Sequence, residues 1–133
     1  VNVQVIRTTI GQLDDQKGTG IRVSKRFETL IAWNTLEENV TNLILDMTSN
    51  AHVYANDFYK GTVQAVDNGF NTQWAFTDPT GNVLGNWFND YYRPQQGCVD
   101  LLPGPAGNGF CDAGYYVQPS NVEALAAVNA YNA

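Results

Sequence analysis

The sequence predicts an α+β domain with one disulfide. Its sheet is mainly antiparallel, of about four strands, with helices packed on both faces in an α/β/α layering. Three observations lead there. The N-terminus and the segment from Asn71 to Phe88 alternate in the manner of strands. Two apolar stripes at helical spacing run between Leu36 and Val66, and the one that begins at Leu36 opens with a capping pattern. Only two cysteines are present, Cys98 and Cys111, and they bracket a Gly/Pro-rich loop.

In chain order, Val1, Val3 and Val5 alternate with Asn2, Gln4 and Ile6, ending near Thr9. Both faces are partly apolar, as in a strand well inside a sheet. Residues 11–20, GQLDDQKGTG, form a loop by composition. Ile21 and Val23 favour a short strand, whereas Phe27, Leu30 and Ile31 favour the start of a helix. Asn34 and Glu37 then fit a capping box, followed by Leu36, Val40, Leu43, Ile44 and Met47 on one helical face. After Thr48-Ser49-Asn50, a second stripe runs through Ala51, Tyr54, Ala55, Phe58, Thr62, Val63 and Val66. Asp67-Asn68-Gly69 closes it with turn chemistry.

Residues 71–88 predict a hairpin. Asp78-Pro79-Thr80-Gly81 fits a type I turn, and Val83, Leu84, Trp87 and Phe88 form the return strand. Gly85 within it implies a bulge or a close backbone approach. A last strand is expected at Gly114–Val117, and Ser120 with Glu123 opens a final helix carrying Leu125, Ala126 and Val128. No internal repeat is visible.

At 133 residues the chain predicts a single domain over 1–133. The 44% hydrophobic content suffices for an ordinary core. No apolar run reaches membrane-spanning length. The N-terminus lacks basic and apolar leader regions, so the expectation is that any signal peptide has been removed. Net charge is −6, which disfavours a general nucleic-acid binder. The charge is uneven: Arg7, Lys17, Arg22, Lys25 and Arg26 face Asp14 and Asp15 within residues 1–26. Lys60 and Arg93 face eleven acids in the remainder. The local cysteine spacing, the Gly/Pro-rich loop and the low Lys+Arg content together point to a Cys98–Cys111 bridge and a secreted protein. A sequon, Asn39-Val40-Thr41, falls inside the first expected helix.

Little in the sequence points to catalysis. His52 is the sole histidine, so two-imidazole chemistry is excluded. A phosphodiester-transfer scheme remains open, with His52 and Glu37 (or Glu38) as acid and base and Arg93 as charge stabiliser. No serine sits in a nucleophile elbow. The carboxylates carry no glycosidase signature. Asp67-Asn68-Gly69 with Asn71 lacks calcium-loop spacing, and one His with two Cys does not suit zinc. No metal and no cofactor is therefore expected.

The run Trp87-Phe88-Asn89-Asp90-Tyr91-Tyr92-Arg93 is the best binding candidate. Sugar rings stack their C–H faces on Trp or Tyr, and their hydroxyls pair with Asn, Asp and Arg. Strand alternation would put Trp87, Asn89 and Tyr91 on one side and Phe88, Asp90 and Tyr92 on the other, so about half the run can face a partner. The competing reading is that these aromatics simply pack the sheet.

In length, acidity, its cysteine pair and its Asn/Gly/Tyr-rich C-terminal half, the chain resembles the small secreted glycan-binding proteins of mushrooms, some of which have an α/β/α-sandwich fold. The resemblance implies a class of function and no particular residues. The leading expectation is a secreted, lectin-like protein that binds glycans or glycoproteins in a defensive or cytotoxic role, through Trp87, Asn89, Asp90, Tyr91 and Arg93. Its oligomeric state is open, a homodimer included. One alternative is a small secreted ribonuclease toxin using His52, Arg93 and Glu37. Another is an enzyme inhibitor presenting the 99–110 loop. The balance favours binding over catalysis.

Overall fold

Parallel strands recur every 22 residues through the middle of this chain. Leu30 pairs with His52, Thr35 with Asp57, and Thr41 with Val63. A computed structural model describes residues 4–11, 18–101, 107–119, 121–123 and 126–132. Its main body is a β-solenoid, in which the chain winds in successive coils; three coils each add one strand to each of three parallel sheets, and a fourth adds one to the second sheet. The first sheet holds β1 (Gln4–Ile6), β4 (Leu30–Ala32) and β7 (His52–Tyr54). The second holds β2 (Thr9–Gly11), β5 (Thr35–Glu37), β8 (Asp57–Tyr59) and β12 (Trp87–Phe88). The third holds β3 (Thr19–Ser24), β6 (Thr41–Ser49) and β9 (Val63–Phe70). An antiparallel hairpin, β10 (Phe76–Thr77) with β11 (Val83–Leu84), projects from the fourth coil. A second hairpin, β13 (Tyr115–Val117) with β14 (Asn121–Glu123), lies beyond β9, joined by a parallel bridge between Val66 and Gln118.

This overturns the α+β expectation. The only helical element among the described residues is one 3-10 turn at Pro94–Gln96, and the dominant sheets are parallel, with no helices on either face. The segments read as helices over Leu36–Val66 are β5 to β9. The final helix expected after Ser120 begins instead as β14, while Leu125 lies outside the described residues. The α/β/α sandwich implied by the mushroom-protein resemblance falls with it. The absence of an internal repeat is also corrected: the coils repeat in backbone and burial, while Asn34 and Asn56 are the only identical pair between residues 30–51 and 52–73.

The core is built from rows of stacked residues, one from each coil. Ile10, Leu36, Phe58 and Phe88 form one row, Val5, Ile31 and Val53 a second, and Ile21, Leu43 and Ala65 a third. Leu36, Phe58, Phe88, Ile31, Val53 and Leu43 are fully buried. Phe58 and Phe88 stack with centroids 5.0 Å apart, and Tyr115 caps Phe88 at 3.9 Å. Removing such rings from water is the main stabilising contribution. The row of Val23 and Leu45 continues into Asp67, a buried acid whose carboxylate accepts from Trp74 Nε1 and Thr72 Oγ1, both at 3.0 Å.

Two amide ladders tie the coils together. Asn34, Asn56 and Asn86 occupy the same corner of successive coils, all fully buried. Asn34 donates its backbone N–H and its Nδ2 to Asn56 Oδ1, and Asn56 does the same to Asn86 Oδ1, at 3.0–3.1 Å. In the second ladder Asn39 donates to Asn42, Asn42 to Gln64, and Gln64 to Asn89. Asn34, Asn56, Asn86, Asn42 and Gln64 each donate and accept, so stacking satisfies groups that would otherwise be buried without partners. Gly20 precedes this ladder. A Cβ there would lie 2.6 Å from the Asn42 carbonyl oxygen and 2.7 Å from Asn39 Nδ2. Asn39 of the sequon is 2% exposed, with its Nδ2 committed to Asn42 and the Ile10 carbonyl, so it is closed to glycosylation in the folded protein.

Sharp corners replace the helices that usually link parallel strands. Arg7, Trp33 and Ala55 share one corner with φ of 55°, 59° and 57°, and Glu28 and Asn50 share another at 53° and 57°. Cys98 and Cys111 form the expected disulfide, 13 residues apart, and both sulfurs lie in the core. Closing a loop of that size stabilises by roughly 3 kcal/mol on a chain-entropy account. No helix among the described residues is long and apolar enough to cross a membrane.

Candidate functional site

The outward face of the second sheet carries the recognition chemistry. Strand alternation sends Leu36, Phe58 and Phe88 inward and leaves Thr35, Glu37, Asp57, Tyr59 and Trp87 on the outer side. These five, with Ala130 and Asn132, surround a cavity of about 200 Å³. Trp87 is half-buried at its wall. Its ring lies nearly parallel to Tyr59, with centroids 6.4 Å apart, and is tilted against Tyr92 at 5.0 Å. Trp87 Nε1 has no hydrogen-bond partner among the described residues, so ring contacts alone fix the indole. The Arg93 guanidinium lies 5.0 Å from the Tyr92 centroid, and Lys60 Nζ lies 5.1 Å from that of Tyr59. The result is an aromatic row, Tyr59–Trp87–Tyr92, with a cation over each end.

Only part of the predicted binding run belongs to this row. Trp87 and Arg93 do, bridged by Tyr92, which alternation had assigned to the opposite side. The strand ends at Phe88 and the chain turns, bringing Tyr92 back over Trp87. Asn89 Oδ1 accepts from the Lys60 N–H and Gln64 Nε2, both at 2.8 Å, and so ends the second amide ladder. Asp90 accepts from the Tyr115 hydroxyl at 2.9 Å. Burial first, and the charge of Asp90 second, hold that hydroxyl protonated well above the ordinary tyrosine range. Tyr91 packs against the core and donates its hydroxyl to the Ala113 carbonyl. These three position the turn. Tyr59 and Glu37, absent from the glycan-binding expectation, join the site because the coil register places them beside Trp87. Finding them from sequence requires the 22-residue repeat.

Asp57 has a different task. Its two carboxylate oxygens accept the backbone N–H groups of Tyr131 and Asn132, each at 2.7 Å, anchoring the C-terminal segment across the sheet. Burial pushes its carboxyl above the usual range, offset in part by these hydrogen bonds. The neutral form is thus favoured more in the folded than in the unfolded chain. This stabilisation is complete below the unfolded value of 3.8 and is lost as pH rises through the folded value. Denaturant titrations of the parent and Asp57→Asn from pH 3 to pH 7 are expected to show the parent losing ground to the variant as pH rises. A constant difference would contradict this. With both oxygens committed, Asp57 is poorly placed to act with Glu37 as a hydrolytic pair.

The ribonuclease residues are dispersed. His52 faces outward on β7, in the first sheet, beside a cavity of about 640 Å³ lined by Glu28, Asn50, Asn71, Gln73 and Phe76. Glu37 is on β5 in the second sheet, across the corner at Trp33, and Arg93 lies beyond β12. Of the 99–110 loop proposed as an inhibitory segment, residues 102–106 lie outside the described residues. Among those described, no group of His, Cys, Asp and Glu side chains could hold a metal ion. No family model, curated protein or solved structure matches this chain.

Proposed function

We propose that this protein is a secreted, lectin-like glycan-binding protein with a defensive or cytotoxic role. The observation that carries the reading is Trp87, a half-buried indole on the outer face of a parallel sheet, flanked by Tyr59 and Tyr92 and opening on a cavity with room for about one pyranose ring. A ring stacks its C–H face on the indole, Glu37 accepts from its hydroxyls, and Arg93 donates to them. The site sits on strands packed against the core, which supports binding with little ordering cost. The Cys98–Cys111 bridge supports secretion, since such bridges persist in oxidising compartments.

A glycan array followed by titration tests this. Trp87→Ala is expected to weaken binding by about tenfold or more, because the stacked ring is the principal contact. Tyr91→Phe, which removes only the hydroxyl bound to Ala113, is expected to bind as the parent does. An array with no binding, or an affinity unchanged in Trp87→Ala, would sink the proposal.

A further inference from the structure

Two segments that add little to the apolar core are nevertheless tied by local hydrogen bonds. One is the β10–β11 hairpin, inserted between Gln73 and Asn86, an arc that the preceding coil covers from His52 to Asn56 without it. Its Phe76 and Val83 are exposed. Asp78 Oδ1 fixes its turn by accepting from the Thr80 and Asn82 N–H groups, both at 2.9 Å. The other is the pair of described ends of the loop bracketed by the disulfide, residues 99–101 and 107–110. There the Asp100 carboxylate accepts from the N–H groups of Asn108 and Gly109, at 2.9 and 2.8 Å. Insertions in solenoid coils gather on one face, often the one that binds.

These two segments converge over Trp33. Together they enclose a cavity of about 680 Å³ lined by Trp33, Asp78, Asn82, Leu84, Asn108 and Phe110. Trp33 holds the left-handed backbone conformation, φ 59°, which is unfavourable for a bulky residue. The matching corners of the neighbouring coils carry Arg7 and Ala55. Trp33 also stands outside the core, in edge contact with Tyr131 at 6.1 Å. A large aromatic kept at a strained corner, facing amides and a carboxylate, has the makings of a second sugar platform.

The two cavities flank one short segment. Tyr131 touches Trp33, whereas Ala130 and Asn132 line the cavity at Trp87. We infer that Trp33 forms a second saccharide subsite, so that the ligand is an oligosaccharide of at least two pyranose rings lying across the C-terminal segment. This rests on the glycan-binding reading of Trp87 and names the ligand class. One ring packs against Trp33 and Phe110, and its hydroxyls pair with Asn82, Asn108 and Asp78.

Isothermal titration with glucose, N-acetylglucosamine and mannose, and with their oligomers of two to six rings, tests the inference. The parent is expected to gain about tenfold or more in affinity between the single sugar and the longer oligomers of at least one series. Trp33→Ala is expected to lose that gain while keeping the parent's affinity for the single sugar. Asn82→Ala, on the exposed hairpin, is expected to lose part of it. Single-sugar binding with no dependence on length, or a gain that survives in Trp33→Ala, overturns the second subsite and leaves Trp87 standing. Absence of binding throughout all three series overturns both readings.

Discussion

Asn56→Ala is expected to lose about 4 kcal/mol or more of stability, a large share of what a domain of this size possesses. Asn56 is fully buried at the centre of the first ladder. Its Oδ1 accepts from Asn34 N and Nδ2, and its Nδ2 donates to the Ile31 and Tyr54 carbonyls and to Asn86 Oδ1. Alanine strands partners in the coil above and in the coil below. Urea unfolding read by far-ultraviolet circular dichroism measures the loss. Asn68→Ala is the control: Asn68 is exposed on β9, and its removal is expected to stay within about 0.5 kcal/mol. A loss at Asn56 below about 1 kcal/mol would show that the ladder is dispensable.

Phe88→Ala is expected to cost about 3–5 kcal/mol, the range for emptying a fully buried aromatic site. Phe88 is sandwiched between Phe58 and Tyr115, so truncation opens a cavity in the last turn of the solenoid and removes two stacking contacts. The adjacent Trp87→Ala reverses the pattern. Its ring is on the outer face, and its truncation is expected to cost about 1–2 kcal/mol of stability while weakening glycan binding. Melting and titration of both variants, with Phe88→Leu as a folded reference that keeps binding, separate the core residue from the platform residue. Equal stability losses at the two positions would contradict the inward–outward assignment.

The features legible in the sequence are those set by local chemistry. The turn at Asp78-Pro79-Thr80-Gly81 forms with the expected bond from the Gly81 N–H to the Asp78 carbonyl. Tyr115–Val117 is a strand, as its composition suggested, and Cys98 pairs with Cys111. Trp87 and Arg93 do face outward together. The helices were misread because a coil with frequent corners spaces its apolar residues irregularly. Leu36, Val40, Leu43, Ile44 and Met47 imitate one helical face, yet Leu36 and Leu43 are buried while Val40 and Met47 are exposed. Asn34 and Glu37 imitate a capping box, but Asn34 spends its amide on the next coil and Glu37 lies on a strand. The return strand of the hairpin was extended too far, because Trp87 and Phe88 leave it to pair with Asp57 and Phe58.

By itself, then, the sequence determined the short-range devices: a turn, a disulfide, an acidic surface and an aromatic run beside an arginine. Each depends on residues close together in the chain. Tertiary structure alone decided that residues 22 and 30 positions apart become neighbours, as Thr35, Asp57 and Trp87 do. That register comes from stacked apolar rows and amide ladders that tolerate different side chains of suitable size and polarity, so it leaves almost no identity to detect. It decides which rings flank Trp87, why Asn89 and Asp90 support the turn, and how the hairpin and the stapled loop come to meet over Trp33.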